Sequence, residues 1–382
     1  MKTAPVIRAL RRRPDEFEHV LVHTGQHYDD EMWRVFVEEL GVEDPLHDLR
    51  IGSGSHAQQV ARTVERLEPV LHDVAPDLVI VPGDVNSTLG AAVTAAGVGI
   101  PIAHIEAGLR SFDRTMPEEL NRRVVDQLSR FLFIHSPEAH GNLIAEGADA
   151  ASIHFVGNTM IDTLVAMWPR IERARAPAAH GVVPREYVLV TLHRPALVDT
   201  PLLGEAMSAL EHIADHYVVL FPVHPRTRAA LAAEGFAPTH PRLRLLRPLG
   251  YVDFVGLLQG AAGVVTDSGG IQEEATYLRV PCFTLRQTTE RPITVSVGSN
   301  LLLGLEPERL RKVPELIEAA RGRPSSIPDR WDGQASERVV DVLAGELGVA
   351  ALTGAAAPDS ADRNAANVAR IVSSGSGGRE SA

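Results

Sequence analysis

GVVTDSGGIQEEA, residues 263–275, is a short apolar run that stops at Asp-Ser-Gly-Gly and passes into a helix-like segment carrying Glu273 and Glu274. The first half reads as a strand end feeding a helix N-terminus, where open N–H groups and the helix dipole favour an anion. The carboxylates come one turn later, where they would repel a phosphate placed over them. A nucleotide wants both features, with phosphate at the N-terminal amides and ribose hydroxyls on a carboxylate. The alternative is a capped helix, with Ser268 as the cap and acids favoured by the dipole.

Working outward, similar apolar runs alternate with helix-like segments. HVLVH (19–23), DLVIVP (77–82), IPIAHI (100–105), FLFIH (131–135) and IHFVG (153–157) form one series. YVLVTL (187–192), YVVLFPV (217–223), LRLL (243–246), GVVTD (263–267) and PCFTL (281–285) form a second, after a polar passage near Arg170–Gly181. Between them lie amphipathic stretches such as SHAQQVARTVERLEPVLHDV, with Val60, Val64, Leu67 and Leu71 at helical spacing. Continuous rather than alternating apolar runs suit parallel strands buried on both faces. The expected fold is α/β, two Rossmann-like doubly wound parallel-sheet domains facing a cleft, over residues 1–168 and 178–349. From Ala350 the chain turns Ala, Ser, Gly and Asp rich, which predicts a disordered tail over 350–382 with a short helix around Ala361–Val372.

Composition narrows the function. A net charge of -12 argues against a general nucleic-acid binder, and no window is apolar for the roughly 18 residues of a membrane span. The single cysteine, Cys282, excludes an intrachain disulfide and a cysteine-built metal site. The start, MKTAPVIRALRRRPDEF, lacks the apolar stretch of a secretory signal. These features point to a soluble cytoplasmic protein.

The unusual polar residues follow strands. GDVNST places Asp84 after one run, and HIEAGLRSFDRTMPEELNRRVVDQ places Glu106 after the next, with Glu118, Glu119, Arg122 and Arg123 downstream. Carboxylates at adjacent strand ends point into the ligand crevice of such folds, where converging groups can exchange protons. Glu118 and Arg122 are four apart, so on a helix they share a face; an exposed salt bridge is the plainer reading. TLHRPA supplies His193 and Arg194, PVHPRTR supplies His224, Arg226 and Arg228, and LRQTTERP supplies Arg286, Glu290 and Arg291. With the helix start after Asp267, these suit a diphosphate. No Walker lysine loop and no GxGxxG after a first strand occur, which disfavours ATP hydrolysis and nicotinamide binding. No local spacing supports a metal.

In order, GDVNSTL, HIEAGLRSFDRTMPEELNRR, FVGNTMIDTL, TLHRP, FPVHPRTR, PLGYVDF, TDSGGIQEEA and LRQTTERP resemble the non-hydrolysing UDP-N-acetylglucosamine 2-epimerases, from Lys2 to about Gly348. The resemblance implies the GT-B arrangement, no cofactor, a homodimer, and conversion of UDP-GlcNAc to UDP-ManNAc through a 2-acetamidoglucal, supplying ManNAc-type sugars for surface polysaccharide. It implies acid/base roles for Asp84, Glu106 and Glu118, with His193 near the diphosphate and Arg122 beside it. Ser268, Gly269 and Gly270 match the phosphate-contacting amides, Glu274 the ribose ligand and Arg291 a further nucleotide contact. Phe254 matches a residue near the uracil. Lys2, His224 and Arg226 complete the expected binding set.

The pattern also departs from the family. The family's opening strand and GTRPE(A)IK motif are reduced to Lys2, which predicts an open slot in the first sheet, poor stability, weak activity, and a Met1 that is an internal methionine or a misassigned start. GQHYDDEM (25–32) replaces a QHREM pattern tied to allosteric UDP-GlcNAc, keeping Gln26 and His27. SFDRTMPEE is shorter than in many members, so sugar-side contacts are expected to differ. The competing readings are a hydrolysing epimerase releasing ManNAc and UDP, a catalytically impaired UDP-sugar-binding remnant, and, more weakly, a glycosyltransferase.

Overall fold

The computed structural model describes residues 1–25, 46–322, 325–348 and 369–375. Gln26 and His27 lie outside the described residues. Two compact units are present, residues 1–163 with 330–378, and residues 164–329.

The first unit contains β1 (Phe17–His23), β2 (His47–Asp48), β3 (Leu78–Pro82), β4 (Ile102–Ile105), β5 (Phe131–Ile134) and β6 (Ile153–Phe155). The second contains β7 (Tyr187–Thr191), β8 (Val218–Pro222), β9 (Leu243–Leu246), β10 (Gly263–Thr266), β11 (Cys282–Thr284) and β12 (Asn300–Leu302). A last strand, β13 (Ala369–Gly375), belongs to the first sheet. The sheet orders are β2-β1-β13-β3-β4-β5-β6 and β12-β11-β10-β7-β8-β9, and every pairing is parallel. Continuous apolar strands are buried from both sides: Leu78 and Ile80 pack on one face of the first sheet, Val79 and Val81 on the other. In the second sheet the order reverses between β7 and β10, the switch point at which doubly wound folds bind ligands beyond the strand ends.

The slot expected in the first sheet is filled. β13 pairs with β1 from Phe17↔Ala369 to His23↔Gly375, and with β3 at Ile371↔Leu78, Val372↔Val79 and Ser373↔Ile80. Ile371 and Val372, both fully buried, enter opposite core faces. The entry is also held by polar contacts: Arg370 N–H donates to Asp77 Oδ2 at 2.7 Å, and its guanidinium to the Val74 carbonyl at 2.8 Å. The disordered tail and the short helix near 361–372 are therefore corrected over 369–375, where the backbone is extended. Paired with β1 along its length and with β3 at residues 371–373, this segment gives the facing backbone groups their partners. The open slot does not hold, and the expected instability loses the premise it was argued from.

The domain boundary also shifts. Residues 330–348 return to the first unit, because their fixed points lie there. Asp162 accepts the N–H groups of Ala335 and Ser336 at 3.1 and 2.6 Å, serving the open end of helix Ala335–Glu346 from 173 residues away. Trp331, 1 % exposed, donates Nε1–H to the His135 carbonyl at 2.9 Å. Gly157, at φ +95°, lies where an added Cβ would come 2.0 Å from the Arg330 carbonyl oxygen, so glycine is required at this approach.

His19 on β1 places Nε2 2.7 Å from Ser373 Oγ on β13. Burial, then the Arg11 charge, pushes its imidazole down to about 4, against about 6.5 in an unfolded chain. Between those values the unfolded state binds more protons, so acidification favours it. Stability is expected to be insensitive to His19 above about pH 6.5 and to fall as pH drops from there towards 4. Denaturant melts across that window should show a shallower decline in His19→Gln; identical slopes would refute the coupling.

Candidate active site

In the first unit, the ends of β3 and β4 bring together the strand-end carboxylates. After β3 the chain turns through Gly83 at φ +64°, where an added Cβ would meet Lys2 Nζ at 3.0 Å. Asp84 follows, 5 % exposed, ion-paired to Arg122 from helix Pro117–Leu128. After β4 comes Glu106, also 5 % exposed, with Oε2 2.5 Å from Lys2 Nζ. Glu106 itself has φ +69°, a left-handed conformation that costs a non-glycine residue about 1–2 kcal/mol. Such strain persists where surrounding structure holds it, and it clusters at functional sites. Asp84 and Glu106 thus each face a cation.

The helix supplies a residue that the sequence reading named without assigning it a role. Glu119, 1 % exposed, accepts from Ser111 N–H at 2.8 Å and Ser111 Oγ at 2.9 Å, and lies 3.4 Å from Arg122 Nη1. Arg122 is therefore shared by Asp84 and Glu119, while Glu118 is half-buried in the first turn. Asn121, fully buried, donates to the Asp84 carbonyl at 2.8 Å and to Asn86 Oδ1 at 3.1 Å, tying helix to loop. A polar i, i+3 relation to Arg122 and the buried helix face were the available signals for Glu119.

In the second unit the β7 and β10 ends carry a second cluster. Asp267 takes the N–H groups of His193 and Arg194 on Oδ2 at 2.8 and 2.9 Å, with Oδ1 3.1 Å from His193 Nδ1. That leaves Nε2 as the ring nitrogen turned from this carboxylate. His224, ring centroid 6.0 Å from His193, heads helix Pro225–Ala233 and accepts Arg226 N–H at 3.2 Å. Burial, then the Arg226 charge, lowers the His224 imidazole below its ordinary value. The Arg226 guanidinium is engaged with Asp199 at 2.5 Å, near the surface.

Helix Gly269–Tyr277 begins directly after Ser268. Ser268 makes no side-chain cap bond; its N–H donates to Thr266 Oγ1 at 3.0 Å, which corrects the capping alternative. Glu273 and Glu274 are buried, so they are not acids displayed on a solvated first turn. Glu273 pairs with Arg291 at 3.0 Å, Arg291 reaches Glu290 at 3.4 Å, and Glu290 holds Arg286 at 2.6 Å. This alternating chain fixes Arg291, 1 % exposed, beside the helix. Phe254, equally buried, sits in helix Tyr251–Gly260. Among the described residues no group of three or more His, Cys, Asp or Glu is arranged to hold a metal ion.

These geometries coincide with a family signature: residues 8–344 match the model of the UDP-N-acetylglucosamine 2-epimerases. The chain belongs to that family. It is 39% identical over 356 residues to the UDP-N-acetylglucosamine 2-epimerase of Methanococcus maripaludis, covering 91% of this chain and 95% of the relative. It is 38% identical to the UDP-2,3-diacetamido-2,3-dideoxy-D-glucuronate 2-epimerase of Pseudomonas aeruginosa, over 90% of this chain and 96% of that one. The crystal structure of Methanocaldococcus jannaschii UDP-GlcNAc 2-epimerase in complex with UDP-GlcNAc and UDP superposes with a TM-score of 0.81 at 37% identity, covering 90% and 96% of the two chains. The two parallel-sheet α/β units are those of the epimerase fold. No helix among the described residues of this family member is long and apolar enough to cross a membrane.

Proposed function

We propose that this epimerase inverts C2 of UDP-GlcNAc to give UDP-ManNAc without releasing the sugar. The observation carrying the proposal is the pair of buried carboxylates, Asp84 and Glu106, at neighbouring strand ends, each against a cation. C2 of a pyranose is not acidic, so the bond from C1 to the diphosphate oxygen breaks with its electrons leaving on UDP. A carboxylate takes the C2 proton, which closes the double bond of a 2-acetamidoglucal. Return of a proton to the opposite face and of UDP to C1 completes the inversion. Asp84 and Glu106 are the proton-handling groups, with Glu118 assisting from its helix, while Lys2 and Arg122 stabilise the carboxylate anions.

The departing diphosphate needs preorganised donors. His193, His224, Arg226, Arg291 and the amides of Ser268, Gly269 and Gly270 are assigned to the nucleotide, with Glu274 on the ribose and Phe254 near the base. In the same proposal the protein is a cytoplasmic homodimer feeding polysaccharide synthesis and uses no cofactor.

The test is incubation with UDP-GlcNAc in deuterated water, followed by NMR of the products. Deuterium at C2 of a UDP-bound sugar supports the reading. Labelled ManNAc with UDP would instead mark a hydrolysing enzyme. A second reading, C2 inversion of a diacetamido-uronic sugar, is favoured by the near-equal identity to the Pseudomonas aeruginosa relative, and the same experiment with that substrate decides it.

Glu274→Ala is expected to raise KM more than it lowers kcat, because the lost bonds are to ribose and not to the reacting carbon. Unchanged UDP affinity by calorimetry would remove Glu274 from the nucleotide site.

A further inference from the structure

His104 is the third residue of β4, fully buried, with Val81 on β3 and Leu132 on β5 as its register neighbours. Both of its ring nitrogens meet acceptors. Nε2 lies 2.8 Å from the Gly83 carbonyl oxygen, and Nδ1 lies 2.7 Å from Asp126 Oδ1. A carbonyl oxygen can only accept, so Nε2 carries a hydrogen. The group facing Nδ1 is an anion: Asp126 Oδ2 accepts Gly108 N–H at 3.1 Å and lies 2.7 Å from the Arg110 guanidinium. Burial alone would push the Asp126 carboxyl up, but His104 and Arg110 outweigh it and hold it below its ordinary value.

We propose that His104 is a positioning residue for the two strand-end carboxylates. Its Nε2–H grips the Gly83 carbonyl, fixing the turn that presents Asp84. Its Nδ1 meets Asp126 Oδ1, and the second oxygen of that carboxylate holds the Gly108 amide in the loop that presents Glu106. A buried charge such as Asp126 is costly unless it is paired and hydrogen-bonded. Arg110 pairs with Asp126 and with Glu146, each at 2.7 Å, and Arg123, 3.3 Å from Glu146, closes the outer side. From β3 and β5 the register neighbours, Val81 and Leu132, are apolar.

The catalytic consequence rests on the epimerase reading; the bridge from Gly83 to Asp126 does not. His104→Asn and His104→Gln each reach only one of the two partners. They are expected to lose about 100-fold in kcat, the scale of a 1 Å misplacement, at unchanged KM and with a cooperative melt. Wild-type turnover in a folded variant overturns the positioning role. Hydrogen exchange at the Gly108 amide should be faster in both variants than in the unaltered chain, and wild-type protection there overturns the bridge. If the unaltered chain turns over neither UDP-sugar, the functional reading fails, and exchange at Gly108 still decides the bridge.

Discussion

Ile371→Asp is expected to unfold the first unit, or to leave it without a cooperative melt. Ile371 is fully buried between β1 and β3 and belongs to the core with Leu78, Ile80 and Phe17. Truncating a buried isoleucine costs about 2–5 kcal/mol. The aspartate adds an anion with no cation among the apolar members of that cluster, a further penalty of several kcal/mol. Together these approach the whole of a typical stability of about 5–15 kcal/mol. Val93→Asp, on the exposed side of helix Asn86–Gly97, is the control and should shift stability by no more than about 0.5 kcal/mol. Hydrogen exchange offers a second measurement: amides of β1 and β3 should lose protection together in Ile371→Asp. Protection and melting at wild-type levels would show that β13 does not carry the sheet.

Glu106→Gln and Asp84→Asn are each expected to cut turnover by at least about 100-fold, the scale for losing a general acid or base, while UDP still binds. Both changes keep shape and remove the ability to take a proton. They also leave Lys2 or Arg122 facing an amide where a carboxylate stood. The groups of the second unit that the proposal assigns to the nucleotide are untouched, so calorimetry with UDP separates catalysis from binding. Near-normal rates in both purified variants would sink the acid/base assignment.

Most strands were legible because parallel strands buried on both faces are continuously apolar, and DLVIVP and YVLVTL are short, rich in β-branched residues and bounded by polar turns. Strand-end loops were legible for a related reason: Asp84, Glu106, His193 and Asp267 follow such runs, where a core has no use for charge. The rest depended on distance. Ile371 and Val372 are two aliphatics in a stretch of Ala, Ser and Gly, and what makes them a strand is a pair of edges more than 290 residues away. Asp162 caps a helix across 173 positions, which no local window can contain. The order of Glu118 and Glu119 was misleading because helical spacing to Arg122 permits both i, i+3 and i, i+4; only burial selects Glu119. His104 reads locally as one polar letter in a strand, and its role needs the carbonyl of Gly83 and the carboxylate of Asp126 to be seen together.

The insertion of β13 between β1 and β3 also sets a schedule. His19 and Ser373, hydrogen-bonded across the two strands, are 354 residues apart in the chain. On the ribosome, β1 and β3 emerge early with a one-strand gap between their facing edges, and everything through residue 348 is made before the filler arrives. Until then two mutually complementary edges stand ready to pair with each other or with a neighbouring nascent chain. Contacts of such sequence separation form slowly, because the chain between them must be ordered before they reward it. The second unit can complete its sheet from contiguous sequence in the meantime. Slowing synthesis between β3 and β13 is therefore expected to lengthen the time these edges stand open and to lower the yield of folded first unit.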